Sequence, residues 1–171
     1  IAEIVPAPAH RIELLKAVLR QFKRSAGSRD DTKSTDRKAS VMAFLPAKGG
    51  SGATFLATSA AAALAQRGKR VALLDLNLHL GEAALFLSDE PPLRSIADVA
   101  NDVERIDADL VEASMVQAGE NLWMLAAPDS PEASMEVQPE AVEKLIALMR
   151  ERFDVVVIDT GRVLDARSIC G

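Results

Sequence analysis

The chain has 171 residues, 49% of them apolar and 26% charged, which suffices to bury the core of one domain and leave an appendage. A formal net charge of −5 weighs against nonspecific nucleic-acid binding over the whole surface, and apolar runs such as "VALL" and "VVVI" are too short to cross a bilayer. The single cysteine, Cys170, excludes an internal disulfide framework and suits a reducing cytoplasm. No initiator Met precedes Ile1 and the sequence stops abruptly at Gly171, so we read the chain as a piece of something longer.

Residues 1–24 open with "IAEIVPAP" and run into a helical pattern. Ile12, Leu15, Val18, Leu19 and Phe22 share one face, and Arg11, Lys16, Arg20, Lys23 and Arg24 decorate the others. Such a stripe ordinarily packs on its own domain; a basic helix lying on a membrane is the alternative, and the stretch is short for it. Residues 25–40, "SAGSRDDTKSTDRKAS", alternate in charge with almost nothing apolar and read as a flexible linker.

From residue 41 short apolar strands alternate with helices. "VMAFL" at 41–45 reads as a strand feeding a glycine loop, and "ATFLATSAAAALAQRG" as an Ala-rich helix ended by Gly68. "RVALLD" is a buried strand ending at Asp75, residues 93–113 hold one or two short helices, and "NLWMLAA" is a strand cut off by Pro128. "PEAVEKLIALMRERF" starts with Pro139 in a first turn and lines up Val142, Leu145, Ile146 and Met149, before "DVVVID" closes the series at Asp159. Near-continuous apolar strands between amphipathic helices predict an α/β fold, a mostly parallel sheet covered on both faces.

Ligands of such sheets sit beyond the carboxyl ends of the strands, where the 46–54 loop, Asp75 to Asn77 and Asp159 to Gly161 all fall. Gly49, Gly50 and Gly52 let the loop curl its N–H groups around an anion at the start of a helix. Thr54 carries the hydroxyl expected on Mg2+, and Asp159 is placed to hold that ion through water. A ligand-free glycine turn is the plain alternative, and the downstream "VVVID" argues against it because both parts follow the P-loop plan. His10 and His79 are too far apart in sequence to suggest a metal pair; Trp123 reads as core; Arg162 reads equally as a γ-phosphate sensor or a surface arginine.

The stretch "KGGSGATFLATSAAAALAQRGKRVALLDLN" resembles the deviant Walker A loop of the MinD/ParA superfamily. With "GEAALFLSDEPPLRSIADV", "LWMLAAPDSPE" and "FDVVVIDTGRVLD" it is most similar to the CpaE/TadZ branch, ParA-like proteins of Flp/Tad-type pilus assembly, in order over residues 41–171. That branch often carries a receiver-like domain upstream, and residues 1–24 are similar to the last strand-to-helix passage of one. The resemblance thus implies a receiver-like remnant (1–24), a linker (25–40) and a C-terminally incomplete P-loop NTPase-like domain (41–171). It further implies a nucleotide-binding stretch of Lys48, Gly49, Gly50, Ser51, Gly52, Ala53, Thr54 and Phe55, with ATP and Mg2+ as cofactors. Lys48 matches the signature lysine, which crosses to the partner's phosphates in a homodimer with nucleotide between its subunits. Asp75 matches the first acid of an Asp-x-Asp, its plain alternative being a strand-end carboxylate; Lys48 and Asp75 are the implied catalytic pair, and Thr54 and Asp159 the metal pair.

Two positions depart from that pattern. Ala53 stands where a second loop lysine would neutralise the β- and γ-phosphates, and Asn77 stands where the second acid would orient or deprotonate water. One lost charge-assisted contact costs binding roughly 1.5–3 kcal/mol, whereas one lost donor in the transition state slows reaction about a hundredfold. The expected function is therefore an ATP-binding, dimerising, ParA-like protein with weak hydrolysis that places or assembles a pilus secretion machine. The expected location is the cytoplasm, compatible with peripheral attachment to the inner membrane or a cell pole. The alternative is an active MinD/ParA ATPase in DNA partitioning or division-site positioning; the main domain has no concentrated Lys/Arg run to hold DNA. An iron–sulfur reductase on the same fold would need bridging cysteines, which Cys170 alone does not supply.

Overall fold

The computed structural model describes residues 39–161, apart from 80, 89, 90 and 102. The helical stretch within 1–24, with His10, most of the linker, Arg162 and Cys170 lie outside the described residues.

A five-stranded sheet is built from β1 (Ser40–Phe44), β2 (Val71–Leu76), β3 (Val116–Gly119), β4 (Leu122–Leu125) and β5 (Val155–Thr160), in the order β1-β5-β2-β4-β3. Neighbours pair in parallel except β3, which runs antiparallel to β4. The most apolar segments take the middle: β2 and β5 are buried at every residue, while β1 alternates between half-buried and exposed. The linker boundary moves. Ser40 pairs with Val155 as the first residue of the strand, and Ala39 beside it is buried with its N–H donating to Arg150 O (3.1 Å), so ordered structure begins within the stretch read as linker. Small residues carry little hydrophobic signal, which hides a strand start of this kind.

Helix α1 (Ala53–Ala65) ends as its glycine demands. Gly68 takes φ +76°, its N–H donates to Ala65 O (2.9 Å), and Lys69 N–H donates to Leu64 O (3.3 Å). After β2 comes a short helix with no counterpart in the sequence reading, α2 (Ala83–Leu87). The 93–113 region holds α3 (Ile96–Ala100) and α4 (Ala108–Ser114), with a 3-10 turn, Val103–Arg105, between them. Ser95 N–H donates to Asp98 Oδ2 (2.7 Å) at the start of α3, and Leu110 N–H donates to Asp107 Oδ1 (2.7 Å) at the start of α4. The strand expected at "NLWMLAA" is β4; β3, which pairs with it, has no counterpart in the sequence reading because it is short and half exposed. A second unforeseen helix, α5 (Pro131–Glu136), starts at Ser130 and precedes α6 (Pro139–Arg152), whose predicted stripe of Val142, Leu145, Ile146 and Met149 is buried throughout.

The helices divide between the faces. Ala57, Ala61 and Leu64 of α1, with Ala83 of α2, pack on Val71, Leu73, Val155 and Val157. On the other face Leu145, Ile146 and Met149 of α6, with residues of α3 and α4, pack on Ala72, Leu74, Val156 and Ile158. Strand alternation then sends Asp75 and Asp159 to the α1 side, at the carboxyl end of the sheet. Near the opposite end, the Arg70 guanidinium lies over the rings of half-buried Trp123 (5.1 Å) and buried Phe153 (5.2 Å), and it bonds Glu112 (3.0 Å).

Leu145 is fully buried beneath the sheet. Replacing it with alanine is expected to cost about 2–5 kcal/mol in urea unfolding, through lost burial and the cavity left behind.

Candidate functional site

The glycine loop leaves the end of β1 and returns into α1. Gly50 and Gly52 adopt φ +69° and +78°, a left-handed backbone that side chains resist, and no atom lies within 4 Å of where a Cβ on either would sit. The loop borders an open hollow lined by residues 48–55. Ser51 N–H donates to Lys48 O (3.2 Å), closing the turn that carries the exposed lysine. Gly52 caps α1 without a side-chain partner and no acid sits in the first turn, so the positive end of the helix is directed at the hollow.

That hollow opens into a cleft of about 520 Å³. Lys48 to Phe55 line one side; Asn77, His79, Glu82 and Phe86 line another, with Thr160 and Gly161 from the end of β5. Phe55 meets Phe86 edge-on at 6.3 Å, which seats α2 against the start of α1. Lys48 is the only lysine or arginine among the described residues lining the cleft, and Ala53 lines it too.

The strand register places two carboxylates side by side beneath the cleft, since Asp75 and Asp159 are paired residues of β2 and β5. Both are buried, at 1% and 0% exposure. Asp75 is pushed up to about 7, by burial first and the charge of Asp159 second, against backbone N–H groups that pull it down. Those donors are Asn77 N–H to Oδ1 (3.0 Å) and Ala83 N–H to Oδ2 (3.2 Å). Burial also raises Asp159, and the Thr54 hydroxyl opposes that rise. No hydrogen bond of ordinary geometry forms, and both Asp159 oxygens lack a partner among the described residues. Buried, unpartnered carboxylate oxygens facing a threonine hydroxyl are a hard-oxygen donor set, which fits a magnesium ion held by Thr54 and Asp159.

The sequence profile of the ATPase MipZ family matches residues 40–167. This chain belongs to that family. Its kinship extends to the wider MinD/ParA superfamily. The septum site-determining protein MinD of a Synechocystis strain is 29% identical over 127 residues, 74% of this chain and 46% of that protein. The crystal structure of a ParA family ATPase from Chlorobium tepidum superposes with a TM-score of 0.72 at 26% identity, covering 79% of this chain and 56% of the other. Cobyrinic acid a,c-diamide synthase from Mycobacterium smegmatis, solved with ADP and magnesium, superposes at 0.62 with 26% identity over 77% and 55%. The chain thus spans about half the length of these relatives.

Within this MipZ-family fold the residues singled out in the sequence fall into two groups. Lys48, Gly49, Gly50, Ser51, Gly52, Ala53, Thr54 and Phe55 all line the cleft, as does Asn77. Asp75 does not line it; with both oxygens bonded to the backbone of the following loop, it sits behind the wall as a brace. His79 proves to be a cleft residue, as do Glu82 and Phe86, which the sequence reading passed over. Gly81 was the available signal, because a Cβ there would meet Ala127 Cβ at 2.2 Å and Asp75 Oδ2 at 3.0 Å. A glycine forced by close packing, six residues past a buried aspartate, marks a loop held in place.

An acid whose folded pKa of about 7 exceeds its unfolded value near 3.8 holds a proton that unfolding releases. Asp75 therefore favours the fold most in acid, and that contribution is lost as pH rises through 7. In magnesium-free urea unfolding, Asp75→Asn is expected to gain about 1–4 kcal/mol relative to the parent between pH 4 and 7.5.

Proposed function

We propose that this protein is a nucleotide-governed assembly factor: it binds ATP with Mg2+ in the cleft, dimerises around it and hydrolyses it slowly. The observation that carries the reading is the charge inventory of the cleft. Ala53 lines the loop where a lysine would serve the β- and γ-phosphates, and the remaining loop cation, Lys48, is exposed at the rim. A deviant Walker A loop of this kind keeps its backbone donors for binding and lacks a fixed charge for the transition state. Lys48 reaches full effect when a second copy delivers it across a dimer. The synthase relative solved with ADP and magnesium supports the ligand, and the Thr54–Asp159 arrangement supports the ion. Magnesium would offset phosphate charge there and orient the terminal phosphate.

Similarity to the CpaE/TadZ branch extends the proposal to a biological role, placement or assembly of a Flp/Tad-type pilus secretion machine. The protein would then work in the cytoplasm, at the inner membrane or a cell pole. Among the described residues no helix is long and apolar enough to cross a membrane, so attachment would be peripheral. A second reading, a positioning ATPase of MinD or ParA type with brisk turnover, draws on the names of the relatives themselves.

Titration calorimetry and phosphate release on the full-length protein separate the two readings. The parent and Ala53→Lys are both expected to bind ATP–magnesium, with release about tenfold to a hundredfold faster in the variant. Equal turnover would sink the slow-hydrolysis reading, and absence of binding to the parent would sink the nucleotide site. Light scattering is expected to show ATP-dependent mass doubling that Lys48→Ala abolishes.

A further inference from the structure

We propose that Glu82 is the carboxylate that orients and deprotonates the attacking water in this cleft, in place of the acid absent at position 77. The inference rests on the nucleotide reading above and goes beyond it, since it concerns how turnover occurs.

A hydrolytic cleft needs a proton acceptor beside the terminal phosphate, and the lining offers few. Asn77 is an amide, which accepts a hydrogen bond from water but not its proton. Its side chain is set against the end of β5, for a Cβ on Gly161 would lie 3.0 Å from Asn77 Oδ1. Asp75 is buried behind the wall with both oxygens occupied. Asp159 is buried and suited to the metal. Glu82 is the only acidic residue among the described residues that line the cleft, and it is exposed there.

Position counts as much as inventory, because a base works only when held. The described residues between β2 and α2 are fixed at several points. One buried carboxylate, Asp75, accepts from the N–H groups at both ends, and the buried Ser134 hydroxyl donates to Leu78 O. Gly81, immediately before Glu82, has no room for a methyl group against Ala127. Glu82 itself precedes the first residue of α2 and lies one turn before Phe86, so the two share a side, and both line the cleft. Phe86 in turn rests on Phe55, the residue after Thr54. Asp75 therefore acts as a positioning residue for the loop, and Glu82 as the group it positions.

In the step proposed, the water oxygen forms a bond to the γ-phosphorus while the bond from that phosphorus to the β–γ bridging oxygen breaks. The bridging oxygen leaves with the electron pair as ADP. The water proton passes to the Glu82 carboxylate and from there to phosphate or solvent. His79 is the competing acceptor on the same wall, next to Leu78, whose carbonyl accepts from Ser134, so the His79→Gln arm of the test decides between the two.

The test is single-turnover and steady-state phosphate release by the full-length protein, with ATP affinity measured separately, in the parent and in the Ala53→Lys background. Glu82→Gln is expected to lower kcat about 10- to 100-fold, the low end of general-base effects, with ATP affinity held within about twofold. Glu82→Asp is expected to recover part of the rate. An unchanged rate in Glu82→Gln, or a loss that follows His79→Gln instead, overturns the assignment. So does ATP binding without phosphate release in either background. Failure of the parent to bind ATP at all overturns the nucleotide reading itself, and is seen in the affinity arm alone.

Discussion

The site is organised around a repulsion. Parallel pairing of β2 with β5 puts Asp75 and Asp159 side by side at the carboxyl end of the sheet, both out of water. Two such carboxylates are costly unless something answers each charge. The protein answers them differently. Asp75 receives backbone N–H groups from both ends of the following loop, while Asp159 receives no hydrogen bond among the described residues and faces Thr54. One acid is satisfied by folding; the other is suited to a cation that arrives with the ligand. The same pair thus shapes the loop on one side and an ion site on the other.

That division bears on the proposal that this cleft binds nucleotide more readily than it cleaves it. Backbone donors of the glycine loop are fixed by positive-φ glycines and by the start of α1, and they do not depend on any side-chain charge. Charges that serve a transition state have to be delivered by side chains, and here the start of α1 supplies alanine at residue 53 and the residue after β2 is asparagine at 77. What remains are Lys48 on an exposed turn and Glu82 on a pinned one. A cleft with strong fixed donors and few fixed charges holds a phosphate chain more readily than it cleaves one.

Much of this was legible in the sequence because the signals were local. "VALLD" and "VVVID" are runs whose only comfortable place is the middle of a covered sheet, and the Ala-rich α1 stops at the glycine that has to turn left-handed. The α6 stripe repeats at helical spacing and is buried as the period requires. What stayed hidden depends on neighbours far along the chain. Strand β3 exists by pairing with β4, α2 by packing Ala83 and Leu87 under α1, and the sheet takes in Ser40 by pairing with Val155, with Ala39 bonded to Arg150 beside it. None of these segments has enough apolar pattern to announce itself.

The role of Asp75 is the sharpest case. From sequence, an aspartate at the end of a buried strand beside a phosphate loop reads as chemistry, and the resemblance assigns it a catalytic part. In the structure Asp75 does not line the cleft, and its oxygens accept from the N–H groups of Asn77 and Ala83, which gives it a hold on the loop that follows. A residue can be indispensable to a site without touching what binds there, provided the loop it holds carries the groups that do. Burial of that carboxylate, with its raised pKa, is the cost of such rigidity, and Gly81 and Ser134 add further fixed points along the same loop. The wall facing the phosphate loop is therefore preorganised. A preorganised wall is what the proposed hydrolysis would need in order to keep Glu82 in register with its water.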